Sequence, residues 1–470
     1  MRFYVQNFGC RATQADGAAL AEQLGAQGYS PVSESVQADL VLVNTCTVTA
    51  SADRDARQYI RRLHRENPAR RILVTGCYAQ RAPEELAALP GVTWVVDNSC
   101  KPKIRALLAQ ELPLRHNRGA GTAQHDFVSS DSFAGARQPA PFNSEGELTL
   151  AEQPAKIITG NIFEQSAVLV APSFGAGVDR TRPTLKIQDG CNNRCAYCVI
   201  PFVRGKSRSL PPDEVIAHLQ RLAGEGYQEV VLSGVDMGSY GFDLKPRTDL
   251  LELVQRALQE TSVPLLRLSS LEPMDLTEEF LALLASTTRI ARHIHAPLQS
   301  GSNRILRRMR RWYTAEAFAE RIERTRAVLG NVGIGADVIV GFPGETDDDF
   351  RQTYELVDRL PFTYLHVFSY SKRPGTAAVA LEGEVSPKAI RERSRALRAL
   401  AAEKATHFRA RQVGARLRAL TLTSSNPDGT RNALSENYLK LRLRGSDVRA
   451  NRLVNARIEA VAGNYLFGSV

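Results

Sequence analysis

Three of the seven cysteines fall in one run, Cys191-Asn192-Asn193-Arg194-Cys195-Ala196-Tyr197-Cys198, with the spacing C-x3-C-x2-C. Thiolates are ligands for soft metals, but a structural zinc site needs a fourth Cys or His at comparable spacing, and the neighbourhood has none. Three thiolates suit a [4Fe-4S] cluster with one iron left open. That iron can chelate the amino and carboxylate groups of S-adenosylmethionine, so that one electron cleaves the sulfonium-to-carbon bond and yields a 5′-deoxyadenosyl radical. Cys191, Cys195 and Cys198 are thus candidate catalytic ligands, and Tyr197 a candidate cofactor contact.

Cys10, Cys46 and Cys77 are far apart in sequence, yet each closely follows an apolar run that reads as a parallel strand. In an open α/β sheet the loops at the carboxyl ends of the strands share one edge, so these thiols can converge on a second three-thiolate cluster. Gly9, Gly76 and Asn44-Thr45 suit the tight turns this requires. Packing of small residues is the simpler alternative. Cys100 follows a fourth run and reads as a non-ligand. Two open-site clusters suggest linked tasks, one making a radical and the other holding a sulfur species that a carbon radical attacks.

The elements that must position these thiols are legible as runs and periods. Phe3 to Phe8, Leu40 to Val43, Ile72 to Thr75 and Val92 to Val96 alternate with helical patterns such as Asp16 to Gln27, which predicts a small doubly wound parallel-sheet domain over 1–115. Residues 116–182 are rich in Ala, Gly, Ser and Pro and read as a linker or insertion, with a short hairpin from Ile157-Ile158 and Ala167 to Val170 as an option. Over 183–385, six strand candidates (Leu185 to Gln188, Glu229 to Ser233, Leu265 to Ser269, His293 to Leu298, Ile334 to Val340, Tyr364 to Phe368) alternate with amphipathic helices. Six βα units predict a partial (β/α)6 barrel, with an open doubly wound sheet as the alternative. A basic helix over 386–410 leads to short punctuated strands, Leu417 to Leu422, Leu439 to Leu443 and Val454 to Val461, which predict a small β-barrel over 411–470.

The chain has 470 residues, 23% charged, with a formal net charge of +10. These values exclude a collagen-like or wholly disordered chain. No stretch has the roughly 20 apolar residues of a membrane span, and the N-terminus has no signal-peptide apolar region, so no membrane partner and a cytoplasmic location are expected. An odd cysteine count in a long chain argues against a disulfide scaffold. From Ser386 onward there are 17 Lys+Arg and 6 Asp+Glu, a balance of +11 that leaves −1 for everything before it. Such a segment suits a polyanion, nucleic acid first, though a solvated basic surface has the same composition.

Further candidates lie at predicted strand ends. Ser233 and Gly234 follow the second barrel strand, where close backbone approach to the methionyl part of the cofactor favours Gly; an ordinary turn is the alternative. Arg267, Ser269 and Glu272 end the third strand and suit a carboxylate or ribose, or else an internal salt bridge. Gln299 and Asp337 belong to the next two strands and suit cofactor or substrate contacts, against helix capping or a buried Arg partner. Arg310 and Arg311 end a basic stripe that can guide RNA, or simply face solvent. Tyr438, Lys440 and Arg442 combine an aromatic with alternating cations, as stacking and phosphate contact require.

With these residues placed, the chain resembles the radical SAM methylthiotransferase family. The resemblance is carried by Asn44-Thr45-Cys46-Thr47-Val48-Thr49, Val74-Thr75-Gly76-Cys77-Tyr78-Ala79-Gln80, the Cys191/Cys195/Cys198 triplet, Pro297-Leu298-Gln299-Ser300-Gly301-Ser302, Asp337 to Thr346, and Phe368-Ser369-Tyr370-Ser371 with Arg373-Pro374-Gly375-Thr376. It implies a three-Cys N-terminal domain, a radical SAM barrel, a C-terminal TRAM domain, two [4Fe-4S] clusters and S-adenosylmethionine. It also implies an electron donor of the flavodoxin or ferredoxin type, and does not identify the sulfur source. The residues around Cys77, Met309 to Thr314 and Ser435-Glu436-Asn437-Tyr438 most resemble the branch acting on N6-threonylcarbamoyladenosine next to the anticodon of tRNA; sister branches act on N6-isopentenyladenosine or on a ribosomal-protein aspartate. Arg11 and Thr13 depart from the Lys and Asn commoner there, and the linker is long. Outside the family, an iron-sulfur RNA-binding redox sensor and a zinc-binding structural module are the competing expectations.

Overall fold

The computed structural model describes residues 1–112, 154–171, 181–445 and 448–470. Most of the expected linker lies outside them. The N-terminal domain is a six-stranded, wholly parallel sheet in the order Ser30–Pro31, Arg2–Asn7, Leu40–Thr45, Arg71–Gly76, Val92–Val96, Lys156–Ile158. Leu40–Thr45 is buried at every position because helices cover both faces. The order in which strands are added reverses between Arg2–Asn7 and Leu40–Thr45, where an open α/β sheet forms its ligand crevice. The expected hairpin at 157–170 is not formed: Lys156–Ile158 pairs in parallel with Trp94–Val96 and extends this sheet, while Ala167 to Val170 is not a strand. A three-residue strand with exposed Lys156 has too little periodicity to show its partner.

The six strands expected between 183 and 385 are present and all parallel. Leu265–Leu268, Glu229–Ser233 and Thr184–Lys186 form one half; His293–His295, Gly333–Val340 and Tyr364–Ser369 form the other, joined by a bridge from Leu266 to Ile290. Helices wrap the outside and bury Val215, Leu219, Leu253, Val254, Leu281 and Ile322 against the strands. Alternate strand residues point inward, and this partial barrel has an unusually polar lumen of Glu229, Arg267, His293, His295 and Tyr364.

The Pro387–Ala410 helix, capped by the Ser386 hydroxyl, leads to a closed five-stranded barrel built around Leu417, Ala433, Leu441, Ile458 and Leu466. Two of its strands, Arg431–Ser435 and Tyr465–Ser469, were not among the expected three. Each has five residues, too short to carry a clear alternation, and closure of the barrel rather than local pattern makes them strands.

Arg267 joins this domain to the large barrel. It is fully buried, bonds Glu229 (Nε to Oε1 2.7 Å), and donates to the backbone carbonyls of Ser435 (3.1 Å) and Glu436 (3.0 Å). Arg267→Met alone leaves buried Glu229 with only the more distant Arg182 (3.8 Å) and is expected to lower stability by about 3 kcal/mol in urea unfolding, whereas Arg267→Met with Glu229→Met recovers most of that loss. Equal destabilisation by the single and double variants contradicts this account.

Candidate active site

The triplet Cys191, Cys195 and Cys198 occupies the loop between the short Gln188–Asp189 strand and the Ile200–Arg204 helix. Gly190 has φ +75°, and a Cβ there would lie 2.0 Å from the Lys206 carbonyl oxygen, so only Gly permits this turn. Gln188 braces the loop: its Oε1 accepts from the Val235 and Asp236 amides (2.8 and 2.9 Å), and its Nε2 donates to the Gly190 carbonyl (2.8 Å). The Ala196 amide donates to the Met309 carbonyl at 2.9 Å, fastening the loop to the segment after the fourth strand. Cys191 donates to Asp236 (3.4 Å), and Arg311 donates to the Cys195 sulfur (3.3 Å). Burial pushes the Cys198 thiol up to about 12.

Cys10, Cys46 and Cys77 converge at the switch point of the N-terminal sheet. Cys10 precedes the Arg11–Ala26 helix, Cys46 follows Leu40–Thr45, and Cys77 opens the short Cys77–Arg81 helix. Gly9 has φ +107°, and a Cβ would lie 2.4 Å from that of Cys46; Gly76 has φ +101° and the Thr45 carbonyl 2.3 Å from its absent Cβ. Burial, then the neighbouring Cys77 and Cys10, push the Cys46 thiol up to about 12. Cys100 instead sits in an apolar cluster with Trp94 and Ile104. Among the described residues, the only group of three potential ligands whose donor atoms all lie within 4.8 Å of one another is His295, Asp337 and His366. Neither cysteine trio has its three sulfurs all within that distance of one another, so neither is drawn in around a single ion. The donor set and the glycine-permitted turns fit [4Fe-4S] ligation at both places.

Between the trios lies a buried charge network that the sequence reading missed. Asp16 bonds Lys101 (2.9 Å), Arg204 (3.2 Å) and Lys186; Asp189 bonds Arg204 (2.8 Å), Lys186 (3.0 Å) and Arg208 (3.1 Å). Burial favours neutral carboxyls, but the surrounding cations outweigh it and hold Asp16 and Asp189 well below the usual carboxylate range. Burial opposes the Arg204 charge, and Cys77 followed by Asp189 and Asp16 outweighs it. The four cations exceed the two carboxylates by two, a surplus placed where three thiolates need counter-charge. The signal available was Lys186 in the otherwise apolar run Leu185 to Ile187.

A cleft of about 190 Å³ opens at the carboxyl ends of the barrel strands. Tyr197, Cys198, Gln299 and Asp337 line one side, Phe368 to Ser371 another, and Val48 and Thr49 reach in from the loop after Cys46. Gln299 has φ +65°, a conformation uncommon for a side-chain-bearing residue, and is held by backbone bonds to Asp337 and Ile339. Burial pushes the Asp337 carboxyl up, but hydrogen bonds from His295 (3.0 Å) and His366 (3.1 Å) prevail and hold it well below its usual range. The Tyr364 hydroxyl links His295 (3.0 Å) to His293 (2.8 Å), extending the polar chain down the lumen. His293-Ile294-His295, with both imidazoles on one strand face, was the legible sign of this chain.

Several expected contacts fall elsewhere. Arg267 is the internal salt bridge described above and does not face the cofactor. Arg311 is buried against Glu272 and Cys195, so it does not face RNA, while Arg310 remains exposed. Tyr438 is half-buried: it stacks on His293 (4.2 Å between ring centres), accepts from Arg11 (3.4 Å), and lines a cavity of about 250 Å³ with Lys440 and Tyr465. These three positions were decided by packing between domains, which local spacing does not encode. Gly234 packs on Gln188 and Met237, Ser233 is buried, and Ser269 donates to the Met237 sulfur at 2.8 Å. Lys440 is exposed, and Arg442 lies over the Tyr465 ring at 4.6 Å.

Two outcomes follow from this geometry. In metal-free protein at pH 8, exposed Cys10 is expected to be alkylated quickly and Cys46 slowly, since burial keeps its thiol protonated; peptide mass mapping with time reads the order. Asp16→Asn leaves buried cations under-compensated and is expected to lower stability by about 3–5 kcal/mol in urea unfolding, so an unchanged midpoint would remove the network from the stability account.

The Uncharacterized protein family UPF0004 model matches residues 2–97, and the Radical SAM superfamily model matches residues 185–357. The chain is 34% identical over 453 residues to the threonylcarbamoyladenosine tRNA methylthiotransferase MtaB of Bacillus subtilis, covering 96% of this chain and 92% of the relative. The protein of that name from Aquifex aeolicus is 35% identical, covering 95% and 97%. The tRNA-2-methylthio-N(6)-dimethylallyladenosine synthase of Syntrophus aciditrophicus is 32% identical, covering 84% and 78%. Among solved structures, the radical S-adenosylmethionine methyltransferase TsrM from Kitasatospora setae superposes with a TM-score of 0.55 at 15% identity, over 91% of this chain and 79% of that one, a likeness of fold. With both cysteine trios on loops that the two matched regions position, the chain belongs to the radical SAM methylthiotransferase family.

Proposed function

We propose that this enzyme adds a methylthio group to carbon 2 of N6-threonylcarbamoyladenosine, next to the anticodon of tRNA, in the cytoplasm, with electrons from a flavodoxin- or ferredoxin-type donor. The observation that carries the reading is the cleft itself: Cys198 of one thiol trio and Val48 and Thr49, two and three residues after Cys46 of the other, line the same 190 Å³ space. When bound, the barrel cluster supplies the electron that cleaves S-adenosylmethionine, and the N-terminal cluster supplies an iron position for the sulfur being transferred.

The chain's own residues prepare that space. Ile339, Phe368 and Tyr370 give the cleft an apolar wall that shields a radical from water. Asp337, kept ionised by two imidazoles, presents an acceptor to amino or hydroxyl groups of a nucleoside. Arg311, held by Glu272, sets a fixed positive charge on Cys195. The threonylcarbamoyl branch is favoured by Met309 to Thr314, by Ser435 to Tyr438, and by the names of the relatives from Bacillus subtilis and Aquifex aeolicus. The dimethylallyl branch is the second reading, because a relative of that name is 32% identical.

Nucleoside mass spectrometry of tRNA from cells lacking the gene tests the substrate. Loss of 2-methylthio-N6-threonylcarbamoyladenosine alone is expected; loss of the isopentenyl analogue selects the second reading, and unchanged tRNA overturns both. In the reconstituted enzyme, Cys191→Ala is expected to abolish 5′-deoxyadenosine formation, while Cys46→Ala retains it and forms no methylthio product. Product from the Cys46 variant contradicts a transfer role for the N-terminal trio.

A further inference from the structure

The C-terminal segment holds the charge surplus, yet its barrel packs at the end of the large barrel away from the cleft. Arg418 donates to the carbonyls of Pro264 and Thr288, Asn451 donates to that of Gly226, and Asn437 lies against Gly333, all at or before strand beginnings. The cleft lies toward the carboxyl ends of the strands, around Gln299, Ile339 and Ser369. The eight-residue strand Gly333–Val340 spans about 25 Å between these ends. A polyanion presenting one base to the cleft therefore needs a cationic surface beside the cleft as well.

The helix Ala50–Glu66 supplies one. Its N-cap, Thr49, lines the cleft, and its first amide donates to Ser371 across the same opening at 3.1 Å. From there Arg54, Arg61 and Arg65, at i, i+7 and i+11, run along one exposed face for about 16 Å. Of the helix's other charges, Asp53 is buried on Arg81 (3.2 Å) and Arg373, Arg57 donates to the Tyr78 hydroxyl (2.5 Å), Glu66 pairs with Arg62 (3.4 Å) and Arg70 (3.5 Å), and Asp55 is exposed. Arg54, Arg61 and Arg65 make no ion pair with any described residue. Beside them runs a groove of about 600 Å³ floored by Phe8 and Tyr59, an edge-to-face pair 5.5 Å apart, with Arg62 over the Tyr59 ring at 4.9 Å. Among the described residues, Asp55 is the one carboxylate in its lining. Unpaired arginines interleaved with aromatic rings match a sugar-phosphate backbone with unstacked bases.

We propose that the arginine face of Ala50–Glu66 is a second RNA-binding surface, which takes the backbone flanking the nucleotide whose base enters the cleft. The inference rests on the reading of the substrate as RNA. It is hidden in the balance of −1 over residues 1–385, where acids elsewhere cancel these arginines.

The test is fluorescence-anisotropy binding of an anticodon stem-loop RNA to the reconstituted full-length enzyme across a salt series. Arg61→Glu with Arg65→Glu is expected to weaken binding at least tenfold and to reduce the slope of log affinity against log salt by about 1.4–1.8, the loss of two phosphate contacts. Arg105→Glu, the same reversal at an exposed site on the Ile104–Glu111 helix, serves as the control and is expected to leave the slope in place. Iron content and thermal midpoint equal to wild type establish that the double variant is folded. Wild-type binding with an unmoved double-variant slope overturns the helix's role and leaves the substrate reading standing. Failure of the wild type to bind RNA, or binding only of a ribosomal-protein peptide, overturns both.

Discussion

The structure depends on two buried carboxylates, Asp16 and Asp189, each surrounded by cations from more than one domain. Asp16 belongs to the first N-terminal helix, yet two of its partners, Lys186 and Arg204, come from the barrel. Buried charges are tolerated only with well-placed partners, so the network admits one relative placement of the two domains. That placement brings the loop after Cys46 over the cleft containing Cys198. The net cationic surplus lies beside the three N-terminal thiols, so the interaction that docks the domains also favours their ionised, metal-binding form.

Around this joint, backbone geometry does what side chains cannot. Gly9, Gly76 and Gly190 take positive φ at close approaches that any Cβ would block, and each borders a cysteine. The barrel lumen, usually apolar, carries Glu229, Arg267 and a run of imidazole and phenol groups. Its lower part is occupied in binding the C-terminal domain through Arg267 and Tyr438, its upper part in keeping Asp337 charged at the cleft.

The cysteine trios, the parallel N-terminal sheet and the six-stranded barrel were legible because each rests on local signals: short ligand spacing, apolar runs of strand length and punctuating glycines. The fate of Arg267, Arg311 and Tyr438 was not. Each occurs in a stretch whose local pattern fits a surface or a binding face equally well, and each is held by a segment more than thirty residues away. The third strand's Arg267 looked like a catalytic-face residue because strand numbering does not say which end of a barrel a side chain serves.

The sequence by itself determined the chemistry, since thiol spacing and strand-end position restrict which metal groups can be held, and these are properties of short segments. It also located the surplus positive charge. Only the tertiary structure decided where that charge lies relative to the cleft, which arginines remain free, and how two distant thiol trios come to share one opening. Those outcomes come from long-range packing and the requirement that every buried charge find a partner, conditions satisfied between segments and not within them.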